Sequence, residues 1–227
     1  MSDKQTVSAI IVAAGSSQRM NGMDKVFAVL GEKPVMAHVL GTFQGCSLID
    51  SIVLVLSEES MDIGKKLVEE NGYSKVTDIC PGGERRQDSV AAGLKQIEKA
   101  DWVIIHDGAR PLVTAELIEQ GLETAQETGS AVAAVPVTDT IKMVGEDQVV
   151  QGTPPRHNLW AVQTPQVFRF DIIQKAYSQL RYEVTDDARA VEQMGEKVKI
   201  YMGSYDNIKI TTPDDLALAE ILLRKKE

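Results

Sequence analysis

The chain has 227 residues, of which 43% are hydrophobic, so we expect one compact domain (1–227) with a complete core. Its formal net charge of −9 argues against a nucleic-acid surface, because phosphate backbones bind to continuous basic faces. The longest apolar runs, such as Ala9 to Ala14, are far shorter than the roughly 20 residues that cross a bilayer, so no membrane span is expected.

In chain order, short apolar runs alternate with segments of helical period. This alternation is typical of a mostly parallel sheet covered by helices on both faces, and it predicts the α/β class. The predicted strands are Ser8 to Ala13, Ser51 to Leu56, Lys75 to Cys80, Trp102 to His106, Ala131 to Val135 and Lys197 to Met202.

Three helices are predicted from apolar spacing or from residues typical of helix ends. Apolar residues at helical spacing indicate a helix over Arg86 to Glu98. Thr114 is the expected N-cap of the next helix, and Gly129 its C-terminal glycine. The last helix should begin at Thr212, where proline follows and an aspartate stands three residues later.

The helix and strand patterns break between Val137 and Gln166. Val149-Val150 and Pro154-Pro155 lie among scattered polar residues without helical period or a buried run. We interpret residues 137–166 as an inserted hairpin arm, whose apolar tip would pack against a second subunit.

The first candidate site is the loop after the first strand. Ala13, Ala14 and Gly15 allow close approach of backbone amides to phosphate, and Arg19 and Lys25 add positive charge. The spacing matches neither GxGxxG nor the Walker pattern, which weakens a dinucleotide or ATPase interpretation. The alternative is an ordinary turn with solvent-facing cations.

The second candidate is the turn from Pro81 to Val90, which joins a strand to a helix. Its two glycines offer backbone groups to a flat base, and Ser89 could add a hydroxyl contact. Alternatively it is a simple turn, in which Glu84 and Asp88 interact favourably with the helix dipole.

The third candidate is the end of the strand that carries His106 and Asp107. Open α/β sheets bind ligands at this edge, and a carboxylate there suits Mg²⁺, so Asp107 is the metal candidate. His106 is more consistent with a hydrogen-bonded packing residue than with a base, since a phosphate nucleophile is already ionised. Arg110 could bind phosphate or support Asp107.

Two later segments add polar groups. Thr185, Asp186 and Asp187 resemble a helix cap, and Lys209 lies in a strand-like segment before the last helix. Residues Met1 to Gln5 lack an export-signal pattern, and the two cysteines form no metal-type pair, so we expect a cytoplasmic protein.

Eight motifs follow one another along nearly the whole chain: AAGSSQRM, the lysine at position 25, GGERRQDSV, HDGARP, DTIK, LWAVQTPQ, TDDA and DNIKITTPDDL. In this order they resemble the 2-C-methyl-D-erythritol 4-phosphate cytidylyltransferases of the non-mevalonate isoprenoid pathway. The resemblance implies a Rossmann-like three-layer fold, transfer of CMP from CTP to that acceptor, dependence on Mg²⁺, and a homodimer made by exchange of the arm.

The resemblance also assigns roles to individual residues. It implies catalytic roles for Arg19, Lys25, Arg156 and Lys209. It implies CTP contacts from Ala13, Ala14, Gly15, Gly83, Glu84 and Ser89. Acceptor contacts are implied for Asp107, Arg110, Thr140, Arg156, Thr164, Thr185 and Lys209, with Thr140 and Arg156 reaching the partner subunit's site. The chain departs from the family pattern where Asp24 and Val26 flank Lys25, and where Glu84 replaces the frequent aspartate.

Two other functions stay open at this point. A ribitol-5-phosphate cytidylyltransferase shares donor, fold and most motifs, and differs in its acceptor. A nucleotide-binding regulatory module would bind CTP, or NAD(P) instead, without releasing pyrophosphate.

Overall fold

The computed structural model describes residues 5–15 and 24–225. The strands are β1 Val7–Ala13, β2 Val29–Leu30, β3 Lys33–Pro34, β4 Ser51–Leu56, β5 Val76–Pro81, β6 Trp102–Asp107, β7 Ser130–Pro136, β8 Met143–Val144, β9 Val150–Gly152, β10 Trp160–Arg169 and β11 Lys199–Met202. The helices are α1 Val35–Gly45, α2 Met61–Asn71, α3 Arg86–Gln96, α4 Ala115–Thr128, α5 Phe170–Gln179, α6 Asp187–Glu192 and α7 Pro213–Arg224.

Seven strands form the central sheet in the order β11-β7-β10-β6-β1-β4-β5. Every neighbouring pair is parallel except those of β10, which runs antiparallel to both β6 and β7. The sheet confirms the predicted α/β class and contains all six predicted strands.

Strand β10 corrects the predicted extent of the arm, because residues 160–166 lie in the main sheet and not in an excursion from it. Gln163, Thr164 and Gln166 are buried polar residues that interrupt its apolar run. The pairing of β10 with β7 is also irregular between Val162 and Gln166. These features hide the strand from a search for buried apolar runs.

Neighbouring residues of the central strands point into two separate core layers. Ile11 and Leu54 belong to the layer on one face of the sheet, whereas Ile10 and Val53 belong to the layer on the other. Because successive strand side chains point to opposite faces, continuous apolar runs are needed where helices cover both faces. The result is a three-layer α/β/α sandwich.

The predicted start of α3, both predicted ends of α4 and the predicted start of α7 are confirmed, whereas α3 ends at Gln96 and not at Glu98. The Oγ1 atom of Thr114 accepts a hydrogen bond from the backbone N–H of Leu117 at 3.4 Å, and Gly129 ends α4 with a φ of 81°. Thr212 and Asp215 form a capping box at the start of α7. Among the described residues, no helix has the length and apolar character that crossing a membrane requires.

The part of the predicted arm that leaves the sheet is a small hairpin made by β8 and β9. Met143, Val144, Val149 and Val150 are all exposed on it, each by at least 53%. A two-stranded hairpin has marginal stability by itself, and a cluster of exposed apolar side chains usually marks a contact surface.

Candidate active site

A pocket opens at the carboxyl ends of β1 and β6, the edge at which open α/β sheets bind ligands. We call it the loop pocket. It is lined by Val12, Ala13, Gly15, Lys25, Val26, Gly83, Glu84, Arg85, Arg86, Ser89, Asp107, Ala109 and Lys209. Ala13, Gly15, Lys25, Gly83, Glu84, Ser89, Asp107 and Lys209 are all predicted site residues.

The turn after β5 approaches the first loop closely. A Cβ atom on Gly82 would lie 2.3 Å from the Cβ of Ala14 and 2.6 Å from the Oγ of Ser89, so only glycine fits there. The Oγ of Ser89 accepts a hydrogen bond from the N–H of Gly83 at 3.2 Å. Ser89 is buried, and its hydrogen bond to Gly83 stabilises the turn. Gly83 and Glu84 are exposed at the pocket.

Lys25 lines the loop pocket, and the preceding acidic residue has a structural role. The carboxylate of Asp24 accepts a hydrogen bond from Ser60 Oγ at 2.8 Å and another from the N–H of Val26 at 3.3 Å. Asp24 therefore fixes the segment that carries Lys25. Arg19 lies outside the described residues, and its catalytic role stays a prediction.

Asp107, at the end of β6, is surrounded by three cations. Its Oδ1 lies 3.0 Å from Arg86 Nε, and its Oδ2 lies 2.9 Å from Lys209 Nζ and 3.6 Å from Arg110 Nε. Burial by itself would raise the pKa of Asp107, but the charges of Arg86, Lys209 and Arg110 lower it far below its ordinary value. Asp107 is thus an ionised anchor for cations at the edge of the pocket.

His106 is a buried packing residue. Its Nε2 lies 3.2 Å from the carbonyl oxygen of Arg110, and its Nδ1 lies 3.1 Å from Thr164 Oγ1. Burial lowers the pKa of His106 to about 4, despite the nearby charge of Asp107. A neutral, fully enclosed imidazole cannot serve as a base at the pocket, in agreement with the packing interpretation.

A second pocket, which we call the side pocket, lies next to the loop pocket on the side of β10 and α6. It is lined by Arg86, Asp107, Arg110, Val162, Gln163, Thr164, Gln166, Thr185, Asp186, Arg189, Glu192 and Lys209. Arg86, Asp107 and Lys209 line both pockets. Asp107, Arg110, Thr164, Thr185 and Lys209 are thus brought together, as predicted for an acceptor site.

The floor of the side pocket is tied to β6 by hydrogen bonds. Thr164 Oγ1 accepts a hydrogen bond from the N–H of Asp107 at 3.0 Å. Asn207 donates from Nδ2 to the Thr164 carbonyl at 2.8 Å, and the N–H of Ile210 donates to the carbonyl of Ala109 at 2.8 Å. These bonds hold the segment around Lys209 against the strand that ends at Asp107.

Thr185 is exposed beside a cap that Asp186 provides. The side chain of Asp186 accepts a hydrogen bond from the N–H of Arg189 and so caps α6. Two predicted acceptor residues, Thr140 and Arg156, line neither pocket. They lie in the exposed segment around the hairpin, where Arg156 Nη1 donates to the carbonyl of Thr138 at 2.6 Å.

The predicted role of Asp107 as a metal ligand does not suit its surroundings. Both of its carboxylate oxygens already contact cationic side chains, which would repel a divalent ion. Within residues 5–15 and 24–225, no three His, Cys, Asp or Glu side chains are grouped so that they could hold a metal ion by themselves. A Mg²⁺ ion would therefore need ligands that a bound phosphate compound supplies.

The sequence motifs assign no individual role to several residues of the two pockets. They are Arg86, Gln163, Gln166, Arg189 and Glu192. Arg86 forms a bidentate ion pair with Asp187, which is distant in sequence, and no local pattern connects the two. The two glutamines do carry a local signal, because Gln163 and Gln166 are uncharged polar residues on either side of a proline in a strand-like segment.

The comparisons with known proteins agree with one another. The family model for 2-C-methyl-D-erythritol 4-phosphate cytidylyltransferase matches residues 7–225. A protein of that name from Dehalococcoides mccartyi is 55% identical, with 97% of each chain covered. Another from Alkaliphilus oremlandii is 44% identical over 100% of this chain and 98% of its own. The crystal structure of 4-diphosphocytidyl-2C-methyl-D-erythritol synthase from Anaerococcus prevotii is similar with a TM-score of 0.87 and 31% identity, over 98% of this chain and 97% of the other.

Proposed function

The chain belongs to the 2-C-methyl-D-erythritol 4-phosphate cytidylyltransferase family, and we propose that the loop pocket and the side pocket together form its active site. The protein transfers CMP from CTP to 2-C-methyl-D-erythritol 4-phosphate and releases pyrophosphate, a step in the biosynthesis of isoprenoid precursors. Family membership favours this acceptor over ribitol 5-phosphate, and catalysis over simple nucleotide binding.

CTP would occupy the loop pocket and the acceptor would occupy the side pocket. The observation that supports this division most directly is that Arg86, Asp107 and Lys209 line both pockets. The two substrates must bring a phosphate oxygen and the α-phosphorus together, and the shared wall is where such a contact can occur. The glycine turn at Gly83 would then face the cytosine and ribose.

The reaction would be an in-line displacement at the α-phosphorus of CTP. An oxygen of the acceptor phosphate forms the new P–O bond, while the bond to the β-phosphate oxygen breaks and pyrophosphate leaves with its electron pair. The attacking phosphate is ionised near neutral pH and needs no base. Catalysis would consist of positioning and of positive charge from Lys25, Lys209 and Arg19 around the developing negative charge.

We propose that Mg²⁺ enters as its complex with CTP, where it would offset part of the negative charge of the triphosphate, while Lys25 and Lys209 supply the protein's own positive charge. The three cations around Asp107 support this route over a metal held by the protein. Chelation with EDTA should abolish pyrophosphate release. The residual activity of an Asp107→Asn variant should depend on Mg²⁺ concentration as that of the wild type does. A large shift in that dependence would indicate that Asp107 binds the ion directly.

We further propose a cytoplasmic homodimer in which the hairpin segment completes the partner's side pocket. The exposed Met143, Val144, Val149 and Val150 of the hairpin support an interface between subunits, and so does the position of Arg156 away from both pockets of its own chain. Cys46 and Cys80 are free thiols, which fits a reducing compartment. Cell fractionation would test the location.

The site assignment is tested by measuring pyrophosphate release from CTP and Mg²⁺ with methylerythritol 4-phosphate, ribitol 5-phosphate or no acceptor. We expect release with the first acceptor only, and a strongly reduced kcat for Lys209→Ala. The shared site is tested by mixing the Lys209→Ala and Arg156→Ala variants, each expected to have a strongly reduced kcat, and allowing their subunits to exchange. Recovery of activity in the mixture supports a site that spans two chains, and no recovery argues against it.

A further inference from the structure

Arg86 makes three side-chain hydrogen bonds to two carboxylates that lie far apart in the sequence. Its Nε donates to Asp107 Oδ1 at 3.0 Å. Its Nη1 and Nη2 donate to Asp187 Oδ1 and Oδ2 at 2.9 and 2.8 Å, so the pair with Asp187 is bidentate. The planar guanidinium group is therefore fixed in orientation, and it joins α6 to the end of β6.

Asp187 has no exposed surface, and its only charged partner at hydrogen-bond distance among the described residues is Arg86. Tyr177 also donates from Oη to Asp187 Oδ1 at 2.6 Å, so both oxygens of this buried carboxylate are occupied. Arg86 itself retains 25% side-chain exposure at the wall between the two pockets. A buried carboxylate that is held by three hydrogen bonds is a rigid support for such a group.

We propose that Arg86 is a positioning residue for the transfer reaction, which holds the Asp107 carboxylate so that Lys209 is presented at the wall shared by the two pockets. The contacts form one continuous chain from Tyr177 through Asp187, Arg86 and Asp107 to Lys209. This inference rests on the catalytic role proposed for Lys209.

The orientation of Asp107 decides where Lys209 can lie. Oδ1 of Asp107 is directed to Arg86, and this leaves Oδ2 for Lys209 Nζ at 2.9 Å. A lysine side chain has several rotatable bonds and is a poorly directed donor by itself, so its position depends on its partner. If Arg86 is replaced, the carboxylate can rotate toward Arg110, whose Nε lies 3.6 Å from Oδ2, and Lys209 follows it.

The critical variant is Arg86→Lys, because lysine keeps the charge but cannot bridge two carboxylates in this fork geometry. A misplacement of about 1 Å near the reacting atoms can cost roughly 100-fold in rate, so we expect kcat to fall by about 10- to 100-fold. The KM for CTP should change much less, since the glycine turns of the loop pocket are untouched.

A matched control is Arg169→Lys. Arg169 forms a similar bidentate pair with Asp171, at 2.6 and 2.7 Å, but it pairs with Trp102 at the opposite end of β6 from Asp107. The kcat of the Arg169→Lys variant should equal that of the wild type. Urea unfolding of each variant shows whether the fold persists. If Arg86→Lys does not fold, Tyr177→Phe takes its place, because it removes one hydrogen bond from Asp187 and keeps the ring.

The test is a double-mutant cycle of Arg86→Lys with Lys209→Ala, with kcat as the readout. If Arg86 acts through Lys209, Arg86→Lys should change kcat by less than about threefold once Lys209 is absent. A merely structural role, or a direct contact of Arg86 with substrate, would instead give the full additional loss in both backgrounds, and this result would overturn the proposal. A different result, in which Lys209→Ala alone leaves kcat unchanged, would refute the role proposed for Lys209 and the inference with it.

Discussion

Acidification should destabilise this fold through His106, a residue at the back of the active site. Thr164 Oγ1 accepts the N–H of Asp107, so its own hydroxyl proton is available for Nδ1 of His106, while Nε2–H donates to the carbonyl of Arg110. These bonds require the neutral ring with its proton on Nε2. A proton added at Nδ1 would break the bond from Thr164 and place a charge in a fully enclosed position.

The size of the effect follows from the pKa of His106, which burial lowers from 6.5 to about 4. Between these two values the unfolded chain binds a proton that the folded chain does not, so stability is complete above pH 6.5 and is lost as the pH falls toward 4. At about 1.4 kcal/mol per pH unit, the whole difference corresponds to about 3 kcal/mol. Between pH 7 and pH 5 the loss should be about 2 kcal/mol.

The assay is urea unfolding at pH 7 and pH 5, followed by far-ultraviolet circular dichroism, for the wild type and His106→Gln. Glutamine can donate to the Arg110 carbonyl and accept from Thr164, but it does not titrate. The free energy of unfolding should therefore fall between the two pH values by about 2 kcal/mol more in the wild type than in the variant. Equal pH dependence in both proteins would refute a buried neutral histidine at this position.

Three further outcomes are expected. Lys25→Ala should lower kcat far more than it raises the KM for CTP in the pyrophosphate assay, and an unchanged kcat would reject a role in stabilising the transition state. Thr114→Ala should lower the free energy of unfolding by about 1 kcal/mol in urea, because α4 loses its N-cap bond; no change would mean that water replaces the bond fully. Gly129→Ala should destabilise by more than about 1 kcal/mol, since φ is +81° and the new Cβ would lie 2.5 Å from Ile172 Cδ1. Gly72→Ala is its control, with a similar φ of +62° and nothing within 4 Å, and an equal cost for both would show that the crowding contributes nothing.

Most of the sheet could be predicted from sequence because its strands are buried on both faces. Ile10 and Ile11 are adjacent in β1 but pack into opposite core layers. A strand that is covered on both faces therefore has a continuous apolar sequence, which makes it recognisable. Strand β10 could not be found in this way. Gln163 and Gln166 are buried there because they bond to distant backbone groups, such as the carbonyl of Ser204 and the N–H of Ala188, and the sequence does not reveal such partners.

The candidate site was predictable where it depends on strand ends and glycine turns, and unpredictable where it depends on pairs distant in sequence. Asp107 ends a buried strand, and Gly83 lies in a turn before a helix, so both follow from local rules. The ion pair of Arg86 with Asp187 joins residues 101 positions apart, which no local spacing can indicate. The role proposed for Arg156 depends on a second chain, and no local pattern in one sequence describes a contact between two chains.

The antiparallel strand in the centre of the sheet has a consequence for synthesis on the ribosome. Strands β1, β4, β5 and β6 are complete once residue 107 has been made, and they are neighbours in the sheet. Strand β7 emerges next, but its two neighbours, β10 and β11, are both encoded later. During translation β7 therefore stays an apolar strand with two unpaired edges until β10 and β11 have been made, and such a strand is prone to aggregation. We expect β7 to be cut by protease, while β1 is already protected, in nascent chains stalled where β7 has left the ribosomal tunnel and β10 is still inside it. Equal protection of both strands would show that the two halves of the sheet assemble together.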